Sequence, residues 1–339
     1  MLKRLVTLVC MTLPGWTAED EVPHSVEPPG LIIYHAGSLS AALKAVEDLY
    51  TQRTGIRILN VAGGSVSLAR QVTAGRERCD IYAGADVEVI DRLLKPAGFA
   101  DFSVRIAQGA MVLAYSTASK QAGTIAATGG RFDPPHAIPD AAPDWYLQLI
   151  QPGVTIVGSH PFLDPGAYRA DLIFQLAADR YCVPNLYNDL LAHYVIARVP
   201  GGLGKAFDYQ FTYEHSARAA SKADQTRTYR YLRLPDEVNL GAPGLNPLYA
   251  KRSVTIPGLQ LSETTPTVSI PGGQVTWGLT LMKAAPNRAN AVTFLQLLFS
   301  SQGAALMNTV GPSPISPPRV SKQDFARLPA ALKSLVETE

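Results

Sequence analysis

The chain of 339 residues carries 30 Lys and Arg against 28 Asp and Glu, a formal net charge of +2, with 47% hydrophobic and 17% charged residues. This composition excludes disorder over most of the length and suffices for two domains, each with its own core. Its basic stretches are short and mixed with acids, which argues against nucleic acid as a partner, because a phosphate backbone requires clustered Lys and Arg.

Residues 1–18 read as an export signal: Lys3 and Arg4 open it, an apolar run follows over 5–13, and Pro14, Gly15 and Ala18 break that run before Glu19-Asp20-Glu21. The run is too short to span a bilayer, and losing the segment leaves a formally neutral chain. Residues 19–30, acidic and Pro-rich, read as a linker. From Leu31 a unit repeats three times: strands over 31–34, 56–62 and 80–84, each followed by a Gly, Ser or Asp turn and a helical pattern. That order predicts a parallel sheet with helices on its faces.

Residues 104–115 predict another strand, and 117–142 a loop rich in Gly, Pro and small residues. Further strands are expected at 154–158, 207–213, 229–234 and 275–282, and helices at 145–150, 167–181, 186–194, 288–300 and 301–310. A polar insert separates the strands at 207–213 and 229–234, and residues 311–318 read as a Pro-rich surface strap. The expected organisation is an α/β chain of two lobes. Lobe 1 is built from 31–108 and 275–339, lobe 2 from 109–274, and the lobes hinge on strands near 109–115 and 275–282. Cys79 and Cys182 fall in different lobes and are expected to stay unpaired.

Two junctions carry the strongest chemical signal: Ala36-Gly37-Ser38 and Gly63-Gly64-Ser65, each between a strand and a helix. Free backbone N–H groups and the helix dipole make such a helix start an anion site needing no Lys or Arg. The crevice beyond the strand C-termini is where open α/β sheets bind ligands. Either serine alone reads as an ordinary N-cap; two on successive units favour a ligand site. A third junction contains His160 to Arg169, in which Asp164 reads equally as a simple N-cap. Leu234 to Leu240, with Glu237, reads by itself as a surface turn.

An enzyme has little support. The six histidines show no metal-binding pair, no G-x-S-x-G elbow is present, and Gly201-Gly202-Leu203-Gly204-Lys205 lacks the Ser or Thr of a phosphate loop.

The chain resembles the archaeal-type tungstate/molybdate-binding proteins of ABC importers and, more distantly, the bacterial molybdate-binding proteins. The resemblance rests on His35-Ala36-Gly37-Ser38-Leu39, Ala62-Gly63-Gly64-Ser65-Val66, Asp80-Ile81 to Ala85-Asp86, and Leu163-Asp164-Pro165 with Tyr168-Arg169. It continues through Phe207-Asp208-Tyr209, Leu234 to Leu240, Ala285-Pro286-Asn287-Arg288 and Gly311-Pro312 to Pro318, all in family order. It implies a two-lobed periplasmic-binding-protein fold of type II, with an oxyanion held between the lobes and delivered to a membrane permease by a monomeric protein without a cofactor. Ser38, Ser65, Gly37, Ala167 and Tyr168 would line the site. Asp164 and Glu237 would be the carboxylates at the metal centre of the ligand, with Glu214 the alternative to Glu237. Gly166-Ala167 departs from the family's usual Cys-Gly.

Two carboxylates facing an anion would narrow the ligand: such a carboxylate is either protonated, or accepts a proton carried by the ligand, as with hydrogen phosphate, or bonds a high-valent metal that enlarges its coordination shell. A buried carboxylate beside sulfate is repelled without compensation. Mo(VI) and W(VI) are hard centres that accept further oxygen ligands, so this pair would favour tungstate or molybdate over sulfate. Phosphate, sulfate or another oxyanion remains the alternative ligand.

Overall fold

The computed structural model describes residues 30–75, 78–128, 144–196, 203–260 and 266–339. The expected signal 1–18, and the linker apart from Gly30, lie outside them. Strands β1 (Leu31–Ala36), β2 (Ile58–Gly63), β3 (Ile81–Gly84) and β4 (Val104–Gly109) belong to one sheet. Strands β5 (Met111–Ser116), β6 (Ile156–Gly158), β7 (Tyr194–Ile196), β8 (Tyr209–Tyr213) and β9 (Tyr229–Arg233) form a second, in the order β7-β6-β8-β5-β9. β10 (Ser253–Pro257) and β11 (Thr267–Pro271) pair as an antiparallel two-stranded sheet. β12 (Val275–Leu281), β13 (Ser313–Val320) and β14 (Glu337–Thr338) return to the first sheet, whose order is β14-β13-β4-β12-β3-β1-β2.

The repeated strand–turn–helix units account for the parallel part of the first sheet, where β1 lies between β2 and β3. All six residues of β1 are buried, as a strand covered by helices on both faces requires. The Ser40–Thr54 helix ends at Gly55, whose φ of +70° is open to glycine at little cost. β12 inserts antiparallel between β3 and β4, with every residue buried. Two of the matched motifs meet here: the Asp80 carboxylate accepts from the backbone and side-chain amides of Asn287 at 2.6 and 2.9 Å and from the Ile32 amide at 2.8 Å.

The strand expected over 104–115 is two strands in different sheets, broken at Gly109-Ala110. The polar insert after β8 is largely a helix, Glu214–Ala223. The Pro-rich stretch near the end is not a loose strap: β13 pairs with β4 despite Pro314, Pro317 and Pro318, and a register break absorbs them. Residue 194 begins a strand where a helix was expected.

Candidate functional site

Both serines lie at the expected strand ends, but neither hydroxyl caps a helix. Ser38 sits in the short 3-10 turn Gly37–Leu39, and Ser65 is the first residue of the Ser65–Thr73 helix, whose N-cap is Gly64. The Ser65 Oγ accepts the Ala85 N–H at 2.9 Å, and the Tyr82 hydroxyl donates to the Ser65 carbonyl at 2.7 Å. The Ser38 Oγ accepts the Trp277 indole N–H at 2.9 Å. A hydroxyl has one proton to donate and limited accepting capacity. With protein N–H groups already on both oxygens, each serine is set to donate its proton.

The other lobe presents Asp164, N-cap of the Pro165–Tyr181 helix. Its Oδ1 accepts the Gly166 N–H and its Oδ2 accepts the Ser159 hydroxyl, both at 2.9 Å. The capping role and the placement at the seam therefore coincide. The lobes touch here: the Ser67 N–H donates to the Leu163 carbonyl at 3.1 Å, so one first-turn amide of that helix is already taken. Arg70 adds bonds to the carbonyls of Phe162, Pro257 and Gly258 at 2.6, 2.8 and 3.0 Å.

Tyr168 and Ala167 are placed differently from expectation. The amides of both point to the Asp164 carbonyl, at 3.1 Å from Ala167 and 3.4 Å from Tyr168, and the Tyr168 hydroxyl donates to Asp86 at 2.8 Å. Gly37 is exposed, with open space where a Cβ would stand.

Glu237 is not brought to the seam. It forms an ion pair with Arg180, in the last turn of the same helix that Asp164 caps. That helix has 17 residues, so its ends stand about 24 Å apart at 1.5 Å per residue. Glu214, the alternative, opens the Glu214–Ala223 helix, and its amide donates to the Ala110 carbonyl at 3.0 Å. Its carboxylate lies 3.6 Å from Arg233. The next residue, His215, donates from Nε2 to the Ser38 carbonyl at 3.0 Å. Glu214 is thus one residue from a direct contact with the Ser38 turn.

An aromatic cluster missing from the sequence reading joins these parts. Tyr213, His215 and Trp277 pack with ring centroids 4.9 to 6.0 Å apart. The Tyr213 hydroxyl accepts from Arg169 at 3.1 Å. Burial lowers the His215 pKa below its ordinary value, against the bond to the Ser38 carbonyl. Burial raises the Tyr213 hydroxyl above its ordinary range, so it stays protonated. Among the described residues Cys79, buried, and Cys182, exposed, are unpaired. Among the described residues no helix is long and apolar enough to cross a membrane.

Two principal sheets that meet along this seam give the chain the type II periplasmic-binding-protein fold, and solved structures share it. The sulfate-binding protein SubI of Mycobacterium tuberculosis superposes with a TM-score of 0.56 at 16% identity, over 85% of this chain and 87% of that one. The periplasmic molybdate-binding protein of Azotobacter vinelandii gives 0.51 at 15%, over 85% and 99%. At these identities the likeness is one of fold. The chain belongs to the bacterial extracellular solute-binding protein family, which matches residues 31–311. It is 29% identical to the molybdate/tungstate-binding protein WtpA of Pyrococcus abyssi, over 91% of this chain and 90% of that protein. An uncharacterized solute-binding protein of Petrotoga mobilis is 28% identical over 85% and 84%.

Proposed function

We propose that this solute-binding protein captures tungstate or molybdate outside the cytoplasm and delivers it, chemically unchanged, to an ABC importer. The observation that carries the reading is the pair of serine hydroxyls whose oxygens already accept protein N–H groups. They are set to donate to a ligand made only of acceptors, such as a fully deprotonated oxyanion. Asp164 stands across the seam from Ser65. Its carboxylate repels sulfate but can complete the coordination of Mo(VI) or W(VI). Glu214, rather than Glu237, is the second carboxylate in this reading, reaching the ligand by exchanging Arg233 for it. The relationship to WtpA supports the choice of ligand, and the segment 1–18 with the family's extracellular character supports export.

Thermal melting with tungstate, molybdate, sulfate and phosphate in turn tests it. At about a thousand times the dissociation constant a ligand adds about 4 kcal/mol, which moves the midpoint by several degrees. The expected result is a shift with tungstate and molybdate at concentrations where sulfate gives none. A shift with phosphate or sulfate alone would sink the assignment.

A further inference from the structure

One guanidinium joins both serines to the opposite lobe. Arg169 is 2% exposed. It donates to the Ala85 carbonyl at 2.6 Å, approaches the Asp86 carboxylate at 3.1 Å and donates to the Tyr213 hydroxyl at 3.1 Å. Ala85 is the residue whose N–H fixes the Ser65 hydroxyl. Tyr213 packs on Trp277, whose indole fixes Ser38. Ala85 and Asp86 follow β3 of the first sheet, whereas Arg169 lies on a helix of the second lobe.

From these contacts we propose that Arg169 is a positioning residue. With Asp86 it latches the lobes together, and in doing so it holds both serine hydroxyls as donors. Asp86 serves two masters: its Oδ1 caps Glu88 within its own lobe at 3.1 Å, while its Oδ2 accepts Tyr168 and faces Arg169 across the seam. The pair forms part of the wall of a cavity of about 340 Å³ that also includes Gln108, Gln274 and Arg319. Parting the lobes therefore gives both charges to water, and closing them pairs the charges out of it. Removing one partner strands the other only in the closed form, since an unpaired buried charge is costly. The latch thus acts on closure more than on the fold of either lobe. The ligand side of this inference rests on the proposed oxyanion function; the latch itself does not.

The test compares wild type with Arg169→Gln, Asp86→Asn and the double variant D86N/R169Q, using tungstate titration calorimetry and small-angle scattering with and without tungstate. Each single variant is expected to bind tungstate on the order of a hundredfold more weakly, the effect of stranding one member of a buried pair. Each is also expected to scatter with a larger radius of gyration than wild type without ligand. The double variant, which buries no unpaired charge, is expected to recover at least about tenfold of that affinity; a merely structural pair of polar residues would give no such recovery. If Arg169→Gln does not fold, Asp86→Asn carries the same comparison. Single variants binding within threefold of wild type, or a double variant no tighter than the weaker single, would overturn the proposal. Should wild type bind no tungstate, molybdate, sulfate or phosphate, the ligand reading fails. The unliganded scattering then decides the latch, an unchanged radius in both single variants overturning it.

Discussion

Gly64 of the first lobe lies so close to Leu163 of the second that a Cβ on Gly64 would stand 2.5 Å from the Leu163 carbonyl oxygen and 3.3 Å from the Cβ of Asp164. The obstacle is backbone, which cannot turn aside. Gly64 has ordinary extended dihedrals, φ −70° and ψ 130°, so alanine there is not strained within its own lobe. Gly64→Ala should therefore block closure, enlarging the unliganded radius of gyration, without disturbing the fold of its own lobe. Overpacking costs about 1–3 kcal/mol, which corresponds to a tungstate affinity roughly five- to a hundredfold weaker. Calorimetry beside small-angle scattering checks this; equal affinities would show that the lobes close along another path.

The three carboxylates separate into roles. Asp164→Ala should abolish the preference for tungstate over sulfate, and it should also lower stability by about 1 kcal/mol through loss of an N-cap. Asp164→Asn keeps a capping oxygen and isolates the loss of charge. Glu214→Gln should weaken tungstate binding at least tenfold. Glu237→Ala should leave binding within twofold, because its ion pair with Arg180 is well exposed and contributes about 0–1 kcal/mol. A large loss with Glu237→Ala and none with Glu214→Gln would restore the sequence-based assignment.

The repeat of strand, glycine turn and helix made the first sheet legible, because parallel strands and their helices each show their own period. The places of Ser38, Ser65 and Asp164 at strand–helix junctions were legible for the same reason, since such a junction is local in sequence. What surrounds them was not. Trp277, which fixes the Ser38 hydroxyl, is 239 residues away from it along the chain. The Glu214–Ala223 helix was hidden because its buried residues are only His215 and Ala217, too few for an apolar period. The order of Glu237 before Glu214 comes from the family resemblance alone, which says nothing of where the fold places either carboxylate. Pro-rich β13 read as a strap because three prolines argue against a strand, and only its register break allows them.

Trp277→Phe tests the donor role of Ser38. Phenylalanine keeps an aromatic ring against Tyr213 but removes the N–H on the Ser38 oxygen. The serine proton is then free to turn elsewhere, and tungstate should bind about two- to tenfold more weakly, the worth of one such bond. Ser38→Ala should cost more, and in that background Trp277→Phe should add little further loss. Full additivity of the two losses would argue that the tryptophan acts only by packing.

His215 makes the closed seam sensitive to acid. Its ring is buried between Tyr213 and Trp277 and donates to the Ser38 carbonyl. Burial first, with nearby Arg218, lowers its pKa from the ordinary 6.5, and the Ser38 carbonyl only partly opposes this. The unfolded chain therefore takes up a proton below about pH 6.5, whereas the folded chain does so only at lower pH. Its contribution is intact above that value and is lost as pH falls from the unfolded towards the folded pKa. His35, buried and likewise lowered, adds in the same direction; Glu47 and Glu88, raised by burial, act oppositely. The informative quantity is accordingly the difference between wild type and His215→Gln. Melting temperatures measured from pH 7.5 to 5 should fall more steeply for wild type than for the variant. Parallel curves would mean that His215 takes its proton as readily in the fold as outside it.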